Sequence, residues 1–316
     1  MQAPEFTALV ERHTHELRVH CYRMLGSLDE AEDLVQETFL RAWRGLAGFE
    51  GRSSVRAWLY RIATNACLDV LDGRPRRELP QLISEAWDPA DSRPPRTDIA
   101  WLQPFPDRLW GDPAEAVLAR ETIELAFLAA IQHLPPRQRA VLILRDVVGW
   151  SAAETAATLE SSVASANSAL QRARATLRRQ LPDRRAEWTR AASESELAVL
   201  RRYMAAVEQG DLGAIADVLA EDVRTSMPPF PMWFAGRDAV LRALATSWDP
   251  GSAAHVGRLQ LVATGANGQP AVGGYADGAP FAIGVLEIRR GRIREIVAFH
   301  DPALFAAFGL PPALHR

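Results

Sequence analysis

The residues whose chemistry is easiest to interpret lie in the stretch ESSVASANSALQRARATLRRQ, positions 160–180. With helical spacing, one face of this stretch is apolar and is formed by Val163, Ala166, Ala169, Leu170, Ala173 and Leu177. The other face carries hydroxyl, amide and guanidinium groups, which hydrogen-bond base edges and phosphates. These outward residues are Ser165, Asn167, Ser168, Gln171, Arg172 and Arg174. The pattern predicts a helix that binds duplex DNA.

The segment that must position this helix starts at Leu134 and predicts three helices, separated by Gly149 and by the polar run 160–162. This is the spacing of a helix-turn-helix. Ser151 and Glu154 form a sequence capping box for the middle helix, and Ser161 or Ser162 can cap the third. The alternative is an Ala-rich bundle that only packs, with its arginines on a solvated face. The caps, the spacing and the arginines at the end of the third helix favour DNA binding.

A second polar face lies on the amphipathic helix predicted from Asp29, in DEAEDLVQETFLRAW. Its inward residues are Leu34, Val35, Thr38, Phe39 and Ala42. Its outward residues are Asp33, Gln36, Glu37 and Arg41. Spacing alone assigns these four residues to a solvated surface.

Two segments resemble known regions: 21–71 resembles region 2 of extracytoplasmic-function (ECF) sigma factors, and 134–178 resembles their region 4. The resemblance implies that the Asp29 helix docks on a coiled coil of the largest subunit of RNA polymerase, through Asp33, Gln36, Glu37 and Arg41. It implies that the third helix of region 4 enters the major groove at the −35 promoter element, and that region 4 also meets the flap of core polymerase. The −35 contacts implied are Ser162, Ser165, Asn167, Ser168, Gln171, Arg172 and Arg174.

The segment FEGRSSVRAWLYRIATNACLDVL resembles the element of these sigma factors that holds the melted −10 strand, which needs cations for phosphates and pockets for unstacked bases. The residues that match this role are Arg52, Ser53, Arg56, Arg61 and Asn65. Aromatic residues at helical spacing beside Leu59 and Ile62 are more often core. We therefore expect Trp58 to be core and leave Tyr60 open between core and base stacking.

The stretch from Gly73 to Pro113 is rich in Pro and lacks a sustained period, which predicts a long linker. Its centre, WLQPFPDRLW, carries three large aromatic residues that gain by burial, so we expect it to dock on a neighbouring surface. From Ser195 onward, two helices precede four strands with turns at Asn267-Gly268 and Arg290-Gly291, an α+β pattern. This extension resembles the SnoaL-like, NTF2-type fold, in which a curved sheet and helices enclose a cone-shaped cavity.

That fold includes isomerases and hydrolases, so the residues that could line a cavity matter. The candidates are Tyr203, Asp222, Trp233, Tyr275 and His300. They form no recognisable dyad, and a His300-Asp301 pair at a strand end is typical of a turn, so we expect binding rather than catalysis. The apolar residues around the Pro-rich segment that favour a binding cavity are Met227, Phe230, Met232, Trp233 and Phe234. The ligand is not specified by the sequence.

Composition sets the remaining expectations. The chain of 316 residues has a net charge of −3 and two cysteines, Cys21 and Cys67, which predicts buried free thiols and neither a disulfide framework nor a metal site. No apolar run could span a membrane and the first residues do not resemble a signal peptide, so we expect a cytoplasmic protein without cofactor or membrane partner.

The predicted architecture is multidomain. Two all-α sigma domains, 1–74 and 114–185, flank a Pro-rich linker, 75–113, and precede an α+β SnoaL-like domain, 195–316. The expected function is promoter-specific initiation with core RNA polymerase and promoter DNA, with the last domain as regulator. A small ligand of that domain is left open, and its identity is unknown. A one-component, ligand-sensing transcription factor or an isomerase-like enzyme would also explain the second half, but neither explains the helical unit at 21–71.

Overall fold

The computed structural model describes residues 3–51, 53–88, 94–110, 124–181 and 193–315. These residues form two compact units, each of which is built from two parts of the chain. One unit contains 3–77 and 124–181, and the other contains 78–110 and 193–315. Within the described ranges, no helix is long and apolar enough to cross a membrane.

The first part of the helical unit contains α1 (Ala3–Leu25), α2 (Leu28–Gly45) and α3 (Val55–Leu71). Ser27 caps α2 by accepting a hydrogen bond from the Glu30 backbone at 3.3 Å, and Ser54 caps α3 in the same way. The residues that α2 buries are Leu28, Ala31, Val35, Thr38, Phe39 and Ala42. Leu34, predicted inward, is only half-buried because it lies at the margin of this stripe.

The second part contains α5 (Leu125–Gln132), α6 (Pro136–Leu142), α7 (Ala152–Thr158) and α8 (Val163–Gln180), where α4 is the short helix Pro80–Ile83 of the other unit. The capping box predicted at Ser151 and Glu154 is present, and Ser162 caps α8. Val163 was predicted to be inward, and this is wrong: as the first residue of α8 it extends past the neighbouring helices and is 45% exposed.

The two parts of the helical unit are joined by a buried guanidinium. Arg139 on α6 is 2% exposed and donates to the carbonyl oxygens of Ile131 at 3.0 Å and Leu134 at 3.3 Å, and to both oxygens of Gln132. It also donates to the Met24 carbonyl oxygen at the end of α1. Burial lowers the pKa of Arg139 to about 10, so the side chain stays charged at neutral pH. The contact ties region 4 to region 2.

The other unit is α+β, as predicted. Helices α9 (Glu194–Gln209), α10 (Leu212–Val218) and α11 (Arg237–Trp248) pack with one six-stranded sheet, and α12 (Leu304–Ala307) follows the last strand. The strands are β1 (Leu219–Ser226), β2 (Trp233–Ala235), β3 (Leu259–Ala266), β4 (Gln269–Ala276), β5 (Ala279–Arg289) and β6 (Arg292–Phe299). Their order is β2-β1-β6-β5-β4-β3, with β1 and β6 parallel.

The predicted turns are confirmed at Asn267-Gly268 between β3 and β4 and at Arg290-Gly291 between β5 and β6. All four turn residues have positive φ, which is the geometry of tight hairpin turns. The sequence pattern did not identify β1 and β2, which form one end of the sheet.

The chain between the two parts of the helical unit contributes to this α+β unit. At the β2 edge, the Trp87 backbone donates to the Trp233 carbonyl oxygen at 2.9 Å, and Trp233 Nε1 donates to the Ser84 carbonyl oxygen at 3.0 Å. At the β3–β4 turn, Phe105 and Asn267 exchange hydrogen bonds of 2.8 and 2.9 Å. Because β2 and β3 are the two edge strands, the described residues of this segment, 78–88 and 94–110, contact both ends of the sheet.

Candidate nucleic-acid and polymerase interfaces

The helix α8 presents its predicted DNA-facing residues to solvent. Ala166, Ala169, Leu170 and Ala173 are buried and form the inner face. The exposed residues on the opposite face are Ser162, Ser165, Asn167, Ser168, Gln171, Arg172 and Arg174. Since hydroxyl, amide and guanidinium groups alternate along this face, it can donate and accept hydrogen bonds in a major groove.

Arg174 differs from the rest of this face because its guanidinium is already engaged. Its Nε and Nη2 donate to the two carboxylate oxygens of Asp146 at 2.9 and 2.6 Å. This bidentate pair raises the pKa of Arg174. It also fixes α8 to the π-helical turn Ile143–Val147, which follows α6 and contains Asp146. Arg174 therefore supports the orientation of α8 in addition to its predicted contact.

The predicted −10 residues lie at the start and on the outside of α3. Ser53, Arg56 and Arg61 are exposed and Asn65 is half-buried, whereas Arg52 lies outside the described residues. Arg56 Nε donates to Glu16 Oε2 on α1 at 2.7 Å. Trp58 is buried against Phe49, with ring centroids 4.7 Å apart, so it belongs to the core as predicted.

Tyr60, which the sequence left open, is 3% exposed and contacts both parts of the helical unit. Its hydroxyl donates to Glu16 Oε2 at 3.2 Å, and its ring lies 4.8 Å from the His20 ring and 5.3 Å from the Trp150 ring. Burial raises the pKa of Tyr60 well above its ordinary value, so the ring stays neutral. Burial also lowers the pKa of His20 to about 3.

The predicted polymerase-facing residues share one side of α2. Asp33, Gln36 and Arg41 are exposed and Glu37 is half-buried; Arg41 Nε donates to Glu37 Oε1 at 2.7 Å. Sequence reasoning missed two large apolar residues on this helix, Leu40 and Trp43, which are 51% and 47% exposed. Each of them could have been noticed in the sequence as a large apolar residue outside the inward stripe of α2.

The five cavity candidates are not brought together. Asp222 is exposed and pairs with Arg294 at 3.4 Å, so the prediction that it lines an interior is wrong: it lies on an outward position of β1. Tyr275 is buried, but its ring packs on Phe305 and its hydroxyl donates to the Pro311 carbonyl oxygen. Gly273, two residues earlier on β4, faces Phe305 and Leu310 as well, so Tyr275 points away from the core that the sheet forms with α9, α10 and α11.

The other three candidates occupy separate surroundings. Tyr203 belongs to the core between α9 and the sheet, where burial raises its pKa to about 12. Trp233 lies at the β2 edge and bonds to the linker. His300 packs edge-on against Phe230 and Phe281, at 5.4 and 4.7 Å, and burial lowers its pKa to about 4. In the part of the chain that the structure describes, no cluster of three His, Cys, Asp or Glu could hold a metal ion.

Three family models match the chain. Sigma-70 region 2 matches residues 9–77, Sigma-70 region 4 matches 124–177, and the SnoaL-like domain matches 200–296. The first two coincide with the helical unit and the third with the α+β unit. The fold and the matches together define a sigma-type transcription initiation factor with an appended SnoaL-like domain.

Relatives of known class match nearly the whole chain. It is 42% identical to the ECF RNA polymerase sigma factor SigG of Mycobacterium tuberculosis, over 98% of this chain and 85% of the relative. It is 28% identical to a probable ECF sigma factor, SigI, of the same species, over 89% and 88%. The crystal structure of SigJ, an extracytoplasmic function sigma factor of M. tuberculosis, matches with a TM-score of 0.61 at 25% identity, over 98% of this chain and all of that one. The chain belongs to the family of ECF RNA polymerase sigma factors.

Proposed function

We propose that this chain binds core RNA polymerase through α2 and region 4 and directs it to promoters, with α8 at the −35 duplex and α3 at the melted −10 strand. The observation that carries the proposal is the exposed polar face of α8, a helix that is capped by Ser162, follows the capped helix α7 and buries an apolar stripe on its opposite face. We place the domain limits where the sequence predicts them, at 1–74, 75–113, 114–185 and 195–316.

We also propose that the polymerase contact on α2 is wider than the charged residues indicate. Asp33, Gln36, Glu37 and Arg41 supply polar contacts at its rim, and the exposed Leu40 and Trp43 supply an apolar centre. An apolar centre with a polar rim is the usual anatomy of a protein interface. Phe6 on α1 packs on Trp43 with ring centroids 4.9 Å apart, which supports its orientation.

For the SnoaL-like domain we propose regulation without catalysis, in a protein that acts in the cytoplasm beside the polymerase. The scattered positions of Asp222, Tyr275 and His300 support the absence of a catalytic group. The hydrogen bonds from residues 84–105 to the sheet support regulation, because the domain holds the chain that connects the two promoter-reading regions.

Run-off transcription with core polymerase tests the proposal. The full chain should bind the core enzyme and start transcription at a defined promoter. Arg172→Ala should reduce promoter affinity about 5- to 150-fold by removing a base or phosphate contact worth ~1–3 kcal/mol. Arg201→Ala, at an exposed arginine of α9, is the matched control and should behave like the parent chain.

Two results would contradict the proposal. Failure of the folded chain to co-purify with core polymerase would exclude the sigma function. Equal promoter affinity for the Arg172 and Arg201 variants would remove α8 from the −35 contact while leaving polymerase binding in place.

A further inference from the structure

Tyr60 of region 2 is covered by an aromatic residue of region 4. Trp150 lies in the turn between the π-turn Ile143–Val147 and α7, where its backbone N–H donates to the Leu144 carbonyl oxygen at 2.9 Å. Its indole ring is 5.3 Å from the Tyr60 ring at an interplanar angle of 54°. Tyr60 is therefore buried partly by α1 and partly by the helix-turn-helix.

The surroundings of Tyr60 combine an aromatic ring with a cation. The Arg56 guanidinium lies 5.0 Å from the ring centroid, so the ring has a cation over it. Proteins bind single-stranded DNA by stacking bases on aromatic rings and pairing phosphates with cations. Arg61 is exposed on the same helix, and Ser53 is exposed just before its N-cap, which extends this surface along α3.

Two groups of the chain itself contact the Tyr60 ring and the Arg56 guanidinium. The indole of Trp150 is a flat bicyclic ring, comparable in size to a purine, and contacts the Tyr60 ring at a tilt of 54°. The Glu16 carboxylate is an anion that accepts hydrogen bonds from both Arg56 Nε, at 2.7 Å, and the Tyr60 hydroxyl, at 3.2 Å. Base and phosphate each have an internal counterpart in this arrangement.

We propose that Tyr60 and Arg56 form a stacking site for an unpaired nucleobase of melted DNA, and that Trp150 of region 4 occupies this site until region 4 moves away. The inference rests on the proposed sigma function and adds its regulation. Promoter binding itself supplies the movement. The −35 and −10 elements lie about 25 base pairs apart, which is about 85 Å of duplex DNA at ~3.4 Å per base pair. Two regions in direct contact cannot occupy both elements.

The test measures binding of the full chain, without polymerase, to a fluorescein-labelled 12-nucleotide single strand of mixed sequence by fluorescence anisotropy. Trp150→Ala should increase the affinity about tenfold, because it uncovers the stacking surface. Trp150→Leu keeps apolar volume without an aromatic face and should give an increase in the same direction. Trp248→Ala is the matched control, since this tryptophan is half-buried like Trp150 but lies on α11 of the other unit, outside the linker.

A double variant decides whether the gain comes from Tyr60. Trp150→Ala with Tyr60→Ala should return to the parent affinity, whereas Trp150→Ala with Tyr60→Phe should keep the gain. An affinity within twofold of the parent for both Trp150 variants, or a gain that persists without the Tyr60 ring, would overturn the proposal. Co-purification of the parent chain with core polymerase separates this failure from a failure of the sigma function, because that measurement involves neither variant.

Discussion

Arg139 illustrates how one side chain can determine the arrangement of two regions. Its guanidinium is fully surrounded by protein oxygens from α5, the following turn and the end of α1. The Met24 carbonyl is one of the acceptors that a helix leaves unpaired at its last turn, so Arg139 also caps α1. Without the guanidinium, the Met24 carbonyl oxygen and the Gln132 side-chain oxygen would stay buried and would each lose the hydrogen bond from Arg139.

Arg139→Met should lower the free energy of unfolding of the helical unit by about 3 kcal/mol, because a buried charge network loses its shared donor. Arg137→Met, at an exposed arginine two residues earlier on α6, is the control and should change stability by less than ~0.5 kcal/mol. Hydrogen exchange of peptides from α1 and α6 at increasing urea concentrations measures both. Equal losses for the two variants would show that Arg139 does not hold the regions together.

At the scale of elements, α2 shows that one helix can serve two surfaces. Its buried stripe from Leu28 to Ala42 packs into the bundle, while Leu40 and Trp43 remain exposed on another side. Isolated exposed apolar residues are normal, but two at positions i and i+3 beside the Glu37–Arg41 pair form a continuous surface. Burial of this surface by the polymerase would stabilise the complex.

Leu40→Ser should therefore weaken the binding of core polymerase about 5- to 30-fold, which corresponds to ~1–2 kcal/mol for an apolar contact near the centre of an interface. Stability should change little, since Leu40 is half exposed in the free chain. Leu82→Ser, at a leucine of similar exposure in the other unit, provides the comparison. Surface plasmon resonance with immobilised core enzyme gives both affinities, and equal values would exclude Leu40 from the interface.

Local features of these elements could be predicted from the sequence because they depend on neighbouring residues. The capping box at Ser151, the cap at Ser162 and the turns at Asn267 and Arg290 all follow from short-range hydrogen bonding and backbone preference. Val163 was misplaced because it begins a helix, where periodicity does not describe exposure. Asp222 was misplaced because β1 was not predicted as a strand, and its pairing with β6 is irregular between Leu219 and Arg224.

Features that depend on distant parts of the chain could not be predicted in this way. The contact of Tyr60 with Trp150 joins residues 90 positions apart, as the numbering shows, and the Phe105–Asn267 bonds span 162 positions. Nothing in the local pattern around LPPRQRAVL distinguishes buried Arg139 from exposed Arg137. Such pairings depend on how the units fold. The aromatic content of WLQPFPDRLW therefore predicted that this segment docks on a surface, but did not predict which surface.

At the scale of the whole molecule, the connection between regions 2 and 4 is part of the SnoaL-like unit. Three residues of this connection are buried in the unit: Leu79, Leu102 and Phe105. Arg108 donates to the carbonyl oxygens of Ala306 and Ala307 on α12, the helix that follows the last strand. A tether that is folded against a domain has less reach than a free one of equal length. Release of residues 78–110 from the domain would let regions 2 and 4 separate further.

Asn267→Gly tests this consequence because it removes the side chain that accepts from the Phe105 backbone while allowing the positive φ of 57°. Loss of a buried acceptor should raise hydrogen exchange in a peptide covering 100–110 roughly tenfold, from a cost of ~1–3 kcal/mol. Run-off transcription should increase with the released tether. Arg290→Gly, at an exposed turn residue with a φ of 52°, makes the same backbone change away from the linker and should leave exchange and transcription as in the parent chain. Faster exchange without a change in transcription would show that the SnoaL-like domain holds the linker but does not regulate initiation through it.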